Sequence, residues 1–241
     1  MRKSSGKSSG VQRNLFLVVL LAFILRVCVR LYMGGEGYFI GGYSFFFDLA
    51  RSIAAGNGIG FEGEPETFRV PLYPILLATV TLGREPFGAV VLLQSLMGAA
   101  TVWCTFQLAK ERFGDLAAMI AAVIAAVYPY YVVHDTALGE TSLFTLLTAV
   151  AVLLLKRAVT GSAKWAAWAG AALGLDVMTR STIAPFAVFA PFYLLCFGNG
   201  PRNRRLALAS YCTLTLLLVV SPWLVRSYIL TGTVRLTTET G

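Results

Sequence analysis

The sequence predicts an all-α transmembrane protein of about seven spanning helices, with a large external first loop that carries short interfacial helices. Three observations predict it. Of the 241 residues, 57% are hydrophobic and only 13% charged, where a soluble domain carries about 25% charged residues. Apolar runs recur at the length, roughly 20 residues, that crosses about 30 Å of hydrocarbon. Lys and Arg gather in alternate short connectors between those runs, a bias that places basic loops in the cytoplasm.

The spans fall at 14–33, 86–110, 115–133, 138–156, 164–179, 182–198 and 205–223. Residues 1–13 form a basic tail, read as cytoplasmic, and 14–241 a single transmembrane module. The first run is long, contains Arg26 and Arg30 and has no small-x-small cleavage site, so it reads as an uncleaved span rather than a signal peptide. With this register twelve Lys and Arg lie on the side of the N-terminus and six on the other, Arg26 and Arg30 being inside the first span. The N-terminus and the loops 110–114, 156–164 and 199–205 are therefore expected in the cytoplasm, and nine of the twelve acids outside.

The external loop 34–85 has internal pattern. Residues 43–55, YSFFFDLARSIAA, are amphipathic and end at GNGIG, a glycine stop. That suits a helix lying at the membrane surface. FRVPLYPILLATVTL follows, with about 12 apolar residues after Pro71, too short to span, and prolines placed for a first turn.

Several classes are excluded. The net charge of +8 sits in interhelical connectors and reads as topology, not as a nucleic-acid surface. Cys28, Cys104, Cys196 and Cys212 all fall in apolar runs without ligand or disulfide spacing and read as packing residues. No ligand cluster implies a metal, no Walker or GxGxxG motif implies a nucleotide, and no inverted repeat marks a transporter.

Charges at membrane depth are functional candidates by default. Arg26 and Arg30 share one face of the first span, either snorkelling outward or serving a site. Asp176 and Arg180 have i, i+4 spacing, either an ion pair at a helix end or an arginine fork for phosphate. In YPYYVVHDTALGET, Asp135 is either a solvated cap or a group that orients a substrate hydroxyl. Glu140 opens the next span, as a helix-start carboxylate or a general base. His134 has too few partners for a metal site. Arg69 reads as an interfacial anchor or a phosphate contact, and Tyr73, Tyr128, Tyr130 and Tyr131 as interfacial aromatics.

Six segments occur in order: a basic start with one span, LARSIAAGNG, FRVPLYPILLA, LLQSLMGAATVWCTFQLAKERFG, YPYYVVHDTALGETSLFTLL and GLDVMTRS, closed by SPWLVRSYILTG. This succession resembles the polyprenyl-phosphate-dependent membrane glycosyltransferases of the GT-C fold, in particular the bacterial relatives of protein O-mannosyltransferases and aminoarabinose transferases. The resemblance covers nearly the whole chain. It implies transfer of a sugar from a lipid-phosphate donor to a lipid, glycan or protein acceptor on the external face of a bacterial inner membrane. It implies an acidic residue in the first external loop, a second acid at Glu140, and an arginine on the donor phosphate, for which Arg69, Arg180 and Arg226 are the candidates, with Tyr73 and Asp135 as further substrate contacts. It names membrane lipid and a polyprenyl-phosphate sugar as partners.

The usual first-loop aspartate falls on Gly42 or Tyr43, leaving Glu36 or Asp48 to supply the acid. Relatives continue for further spans, so a second chain supplying C-terminal spans is one expectation. An inactive family member that binds lipid-linked sugar or a partner protein is the first alternative function. A small permease or lipid flippase is the second, disfavoured because the acids crowd outside rather than at membrane depth.

Overall fold

The computed structural model describes residues 5–35, 38, 44–61, 64–84 and 87–237, with side chains of the first helix from residue 10. Among these residues the regular secondary structure is helical apart from one pair of two-residue strands. Helix α1 is Ser5–Met33, α2 Ser44–Ala54, β1 Gly60–Phe61, β2 Glu64–Pro65, α3 Leu72–Thr81, α4 Phe87–Val127, α5 Pro129–Thr136, α6 Thr141–Thr160, α7 Ala163–Val177, α8 Ala184–Phe197 and α9 Arg202–Thr231. A 3₁₀ turn, Ser181–Ile183, leads into α8.

Among the described residues four helices are long and apolar enough to cross a membrane: Gly10–Met33, Phe87–Val127, Thr141–Thr160 and Arg202–Thr231. The chain is an all-α membrane protein. Seven crossings are not reached by length alone, and the reason is local. Residues expected as two spans are two helical segments of α4 that meet at Gly114, whose φ of 79° and ψ of 178° break the helix at the expected 110–114 connector. Helices α7 and α8 have 15 and 14 residues, a rise of about 22 Å, short of about 30 Å of hydrocarbon. Helix α1 starts at Ser5, well inside the stretch read as a tail.

The punctuation follows residue chemistry. Pro71 precedes α3 and Pro74 lies in its first turn, where a missing N–H costs nothing. Pro129 opens α5. Past the end of α2, Gly56 and Gly58 take φ of 82° and 80°, left-handed conformations that stop a helix.

The chain divides into two compact units. The first combines 1–44 with 87–146, the second 45–86 with 147–241. In the first, α1 packs along α4 and α5. The contact is lined by small side chains: Ala22, Ala118, Ala122 and Ala126 are fully buried around Leu15, Val102 and Phe106. The opposite flank of α1 exposes Phe16, Leu17, Leu21 and Ile24, apolar surface that lipid covers.

In the second unit α7 packs against α9, and α8 against α9. Gly170 and Gly174 sit four apart on α7. A Cβ on Gly170 would collide with the Cys212 carbonyl, and one on Gly174 would lie 2.7 Å from Val219 Cβ. This small-xxx-small spacing lets two membrane helices meet backbone to backbone. Thr215 Oγ1 then donates across the interface to the Ala167 carbonyl at 2.8 Å. Replacing Gly174 by Leu is expected to destabilise the purified protein by about 2 kcal/mol through overpacking, seen as a lowered midpoint in SDS or thermal unfolding, with Ala less harmful than Leu.

Candidate functional site

The first unit carries Asp135 and Glu140. Asp135 is not the solvated cap that the sequence allowed: it is 4% exposed, and Arg26 is 1% exposed. Arg26 Nε donates to Asp135 Oδ2 at 2.6 Å. Its Nη1 donates to the carbonyls of Ala22 at 3.0 Å and Ala126 at 3.1 Å. Arg26 therefore does not snorkel. Burial pushes the Asp135 carboxyl above the usual carboxylate range, against the opposing pull of Arg26. Space for the pair exists because residue 98 is glycine: a Cβ there would overlap both Asp135 Oδ2 and Arg26 Nε.

The backbone after Asp135 is held by side chains from two helices. Arg30 Nη1 donates to the Thr136 carbonyl at 3.0 Å. Gln94 Nε2 donates to the carbonyls of Ala137 at 2.6 Å and Asp135 at 3.2 Å. The Leu138 N–H donates to the Tyr38 carbonyl at 2.8 Å, and the Arg30 guanidinium lies 5.7 Å from the Tyr38 ring centroid. The Arg30 and Gln94 bonds satisfy the carbonyls of Asp135 and Thr136, which α5 leaves open at its C-terminus. They lead directly to Glu140, which is 3% exposed and whose carbonyl accepts from the Phe144 N–H at 2.9 Å, starting α6. Gln94 escaped the sequence reading, although one amide inside an apolar run is the signal that a buried polar contact leaves.

The second unit carries Asp48, Arg69, Tyr73, Arg180 and Arg226. Tyr73 is fully buried, not an interfacial aromatic, and meets Phe46 edge-on with centroids 5.2 Å apart. The exposed Arg69 guanidinium lies 5.6 Å from the same Phe46 ring. Asp48 lies on the exposed face of α2, whose other face buries Phe46, Phe47, Leu49 and Ala50. The Asp176–Arg180 spacing does not act as a helical pair, because α7 ends at Val177 and Arg180 is extended. Asp176 is fully buried and its Oδ2 accepts from Thr148 Oγ1 at 2.7 Å. The Arg180 N–H caps the Asp176 carbonyl at 2.9 Å.

Arg226 is the best-placed of the arginines. Nη1 donates to the Glu66 carbonyl at 2.8 Å and Nη2 to the Ile59 carbonyl at 2.7 Å. These carbonyls flank the hairpin in which Gly60 pairs with Pro65 and Phe61 with Glu64. The guanidinium also lies 4.8 Å from the Trp223 ring centroid. It borders a cavity of about 850 Å³ whose walls are Ser52, Asn57, Gly60 and Glu64 on one side and Pro222, Val225, Ile229 and Leu230 on the other. A second cavity of about 280 Å³ shares Ile59, Pro222 and Arg226 and is otherwise lined by apolar residues, including Leu72, Ile75, Leu175 and Val219.

Glu36, Gly42 and Tyr43 lie outside the described residues. Among the described residues no three His, Cys, Asp or Glu side chains converge on a metal position.

Removing one partner of a buried ion pair strands the other. Asp135→Ala is expected to destabilise the protein by about 3–5 kcal/mol. The double variant Arg26→Met, Asp135→Ala is expected to recover part of that loss, which a double-mutant cycle on unfolding midpoints measures.

No curated protein matches the chain. The profile of the dolichyl-phosphate-mannose-protein mannosyltransferase family matches residues 69–225. The matched stretch runs from Arg69 through Asp135, Glu140 and Arg180 and ends one residue before Arg226. It covers well over half of the sequence, and the chain belongs to this family of membrane glycosyltransferases.

Proposed function

We propose that the protein transfers a sugar from a polyprenyl-phosphate donor to a lipid, glycan or protein acceptor at the external face of a bacterial inner membrane. The observation that carries this reading is the pair of cavities that share Arg226. One wall offers polar hairpin groups, the other the Arg226 guanidinium and the apolar flank of α9. A phosphorylated lipid asks for both: fixed donors for its headgroup and an apolar groove for its chain. Membership of the mannosyltransferase family supports the same chemistry.

In this reading the acceptor hydroxyl attacks the anomeric carbon. The bond from that carbon to the donor phosphate oxygen breaks, the proton passes to a carboxylate, and the phosphate leaves against positive charge. Glu140 is assigned as the carboxylate, with Asp48 or Glu36 as the second acid. Arg226 is assigned to the phosphate, with Arg69 and Arg180 as further cations, and Tyr73 and Asp135 shape the sites.

We also propose seven crossings with a cytoplasmic N-terminus. Helix α4 breaks at Gly114, and Val102 and Phe106 before the break pack with Ala118 and Ala122 after it, which suits two crossings. The connectors expected in the cytoplasm meet within the second unit, where the Asn199 N–H donates to the Val159 carbonyl at 2.9 Å. At the other end of α7, loop residue Leu72 donates to the Met178 carbonyl at 3.0 Å. Both joined pairs are segments that the charge bias places on a common side.

The test is transfer by purified protein in liposomes that contain a polyprenyl-phosphate sugar and an acceptor. Glu140→Gln is expected to lower kcat by about 100-fold or more, the worth of a general base. Arg226→Ala is expected to raise the donor KM. Transfer unchanged in both Glu140→Ala and Glu36→Ala overturns the carboxylate assignment, and substrate flux without any glycosyl product overturns the transferase reading.

A further inference from the structure

The end of the second unit where α6 stops and α7 and α9 begin carries a charge pattern that sugar transfer does not use. Residues 156–164 and 199–205 contain Lys156, Arg157, Lys164, Arg202, Arg204 and Arg205 and no Asp or Glu. The described acids of this unit, Asp48, Glu64, Glu66 and Asp176, all lie on other segments. The two connectors are tied together. Arg204 donates to the carbonyls of Asn199 and Gly161, and to that of Thr160 at 3.2 Å. Arg205 Nη1 donates to the Leu195 carbonyl at 3.2 Å. These two arginines organise the end of the bundle.

Arg157 and Lys164 do something different. Both sit over Trp165, at 5.2 Å and 5.5 Å from its ring centroid. The indole attracts each cation, and no carboxylate of either connector offsets their charge. Gly161 makes the arrangement possible: a Cβ there would lie 2.6 Å from Trp165 Cδ1. Helices α7 and α9 both start here with no acid in the first turn and no side-chain cap, adding positive potential. Trp168, one turn along α7 from Trp165, is 64% exposed, an apolar surface beside the cationic one.

We propose that Arg157, Lys164 and Trp165 form a binding site for the headgroup of an anionic phospholipid. The headgroup phosphate takes donors from both cations, while Trp168 lies against the glycerol and upper acyl chain. A free phosphate would engage the cations and leave Trp168 unused, so the aromatic pair favours a lipid. The site is separate from the cavity at Arg226 and independent of the transfer reaction.

The experiment measures lipid retention by native mass spectrometry of the purified protein, titrated with phosphatidylglycerol and with phosphatidylcholine. The wild-type protein is expected to retain phosphatidylglycerol in clear preference to phosphatidylcholine, a comparison that needs no variant. Each basic residue near an anionic surface is worth roughly five-fold in binding, so R157Q/K164Q is expected to weaken phosphatidylglycerol about 30-fold and leave phosphatidylcholine unchanged. The charge-conserving R157K/K164R is expected to stay within about three-fold of wild type. Equal retention of both lipids by the wild-type protein overturns the proposal. So does loss of binding in the charge-conserving variant, or displacement of phosphatidylglycerol by millimolar inorganic phosphate.

Discussion

A guanidinium inside a membrane finds no water, so all of its partners must come from protein. Arg26 meets that demand with one carboxylate and two carbonyls. The consequences spread through the first unit. Asp135 must be drawn inward from α5, residue 98 must lack a side chain, and the backbone that follows α5 must sit where Arg30 and Gln94 reach its carbonyls. Glu140 inherits its placement from this chain of requirements, because it is reached through five residues whose carbonyls or N–H groups are mostly held by other helices.

The second unit solves a different problem with the same materials. Its helices meet through Gly170 and Gly174 rather than through charge, since lipid tails give apolar side chains little reason to leave them. Its arginines work at the two ends, on carbonyls that regular structure leaves open. Arg204 serves one end and Arg226 the other. Arg226 thereby holds the rim of the cavity rather than merely pointing into it, and any ligand there would share a guanidinium already fixed in direction.

Most helices were legible because lipid imposes a length and a composition that the sequence displays. The α2 and α3 pieces of the loop 34–85 were legible too, the first from its amphipathic spacing, the second from its two prolines. The break inside α4 was legible in part, because the charged Lys110, Glu111 and Arg112 lead to Gly114, where the backbone leaves the helix. The site was less legible. Asp135 looked like a cap because sequence spacing cannot show that Arg26, 109 residues earlier, lies beside it. Asp176 and Arg180 looked like partners because the helix was carried two residues too far. Gly98 looked neutral, and only the collision that a Cβ would cause reveals its role.

The clasp of Arg226 on Ile59 and Glu66 also constrains biosynthesis. The hairpin belongs to an early loop, yet the side chain that fixes its carbonyls is encoded 167 residues after Ile59. As the chain emerges from the ribosome, that loop is complete long before α9 is made. The rim of the cavity is therefore an unlocked segment during most of synthesis and is completed only when α9 inserts. A nascent chain stalled before residue 226 would lack both guanidinium bonds that hold the hairpin's flanks.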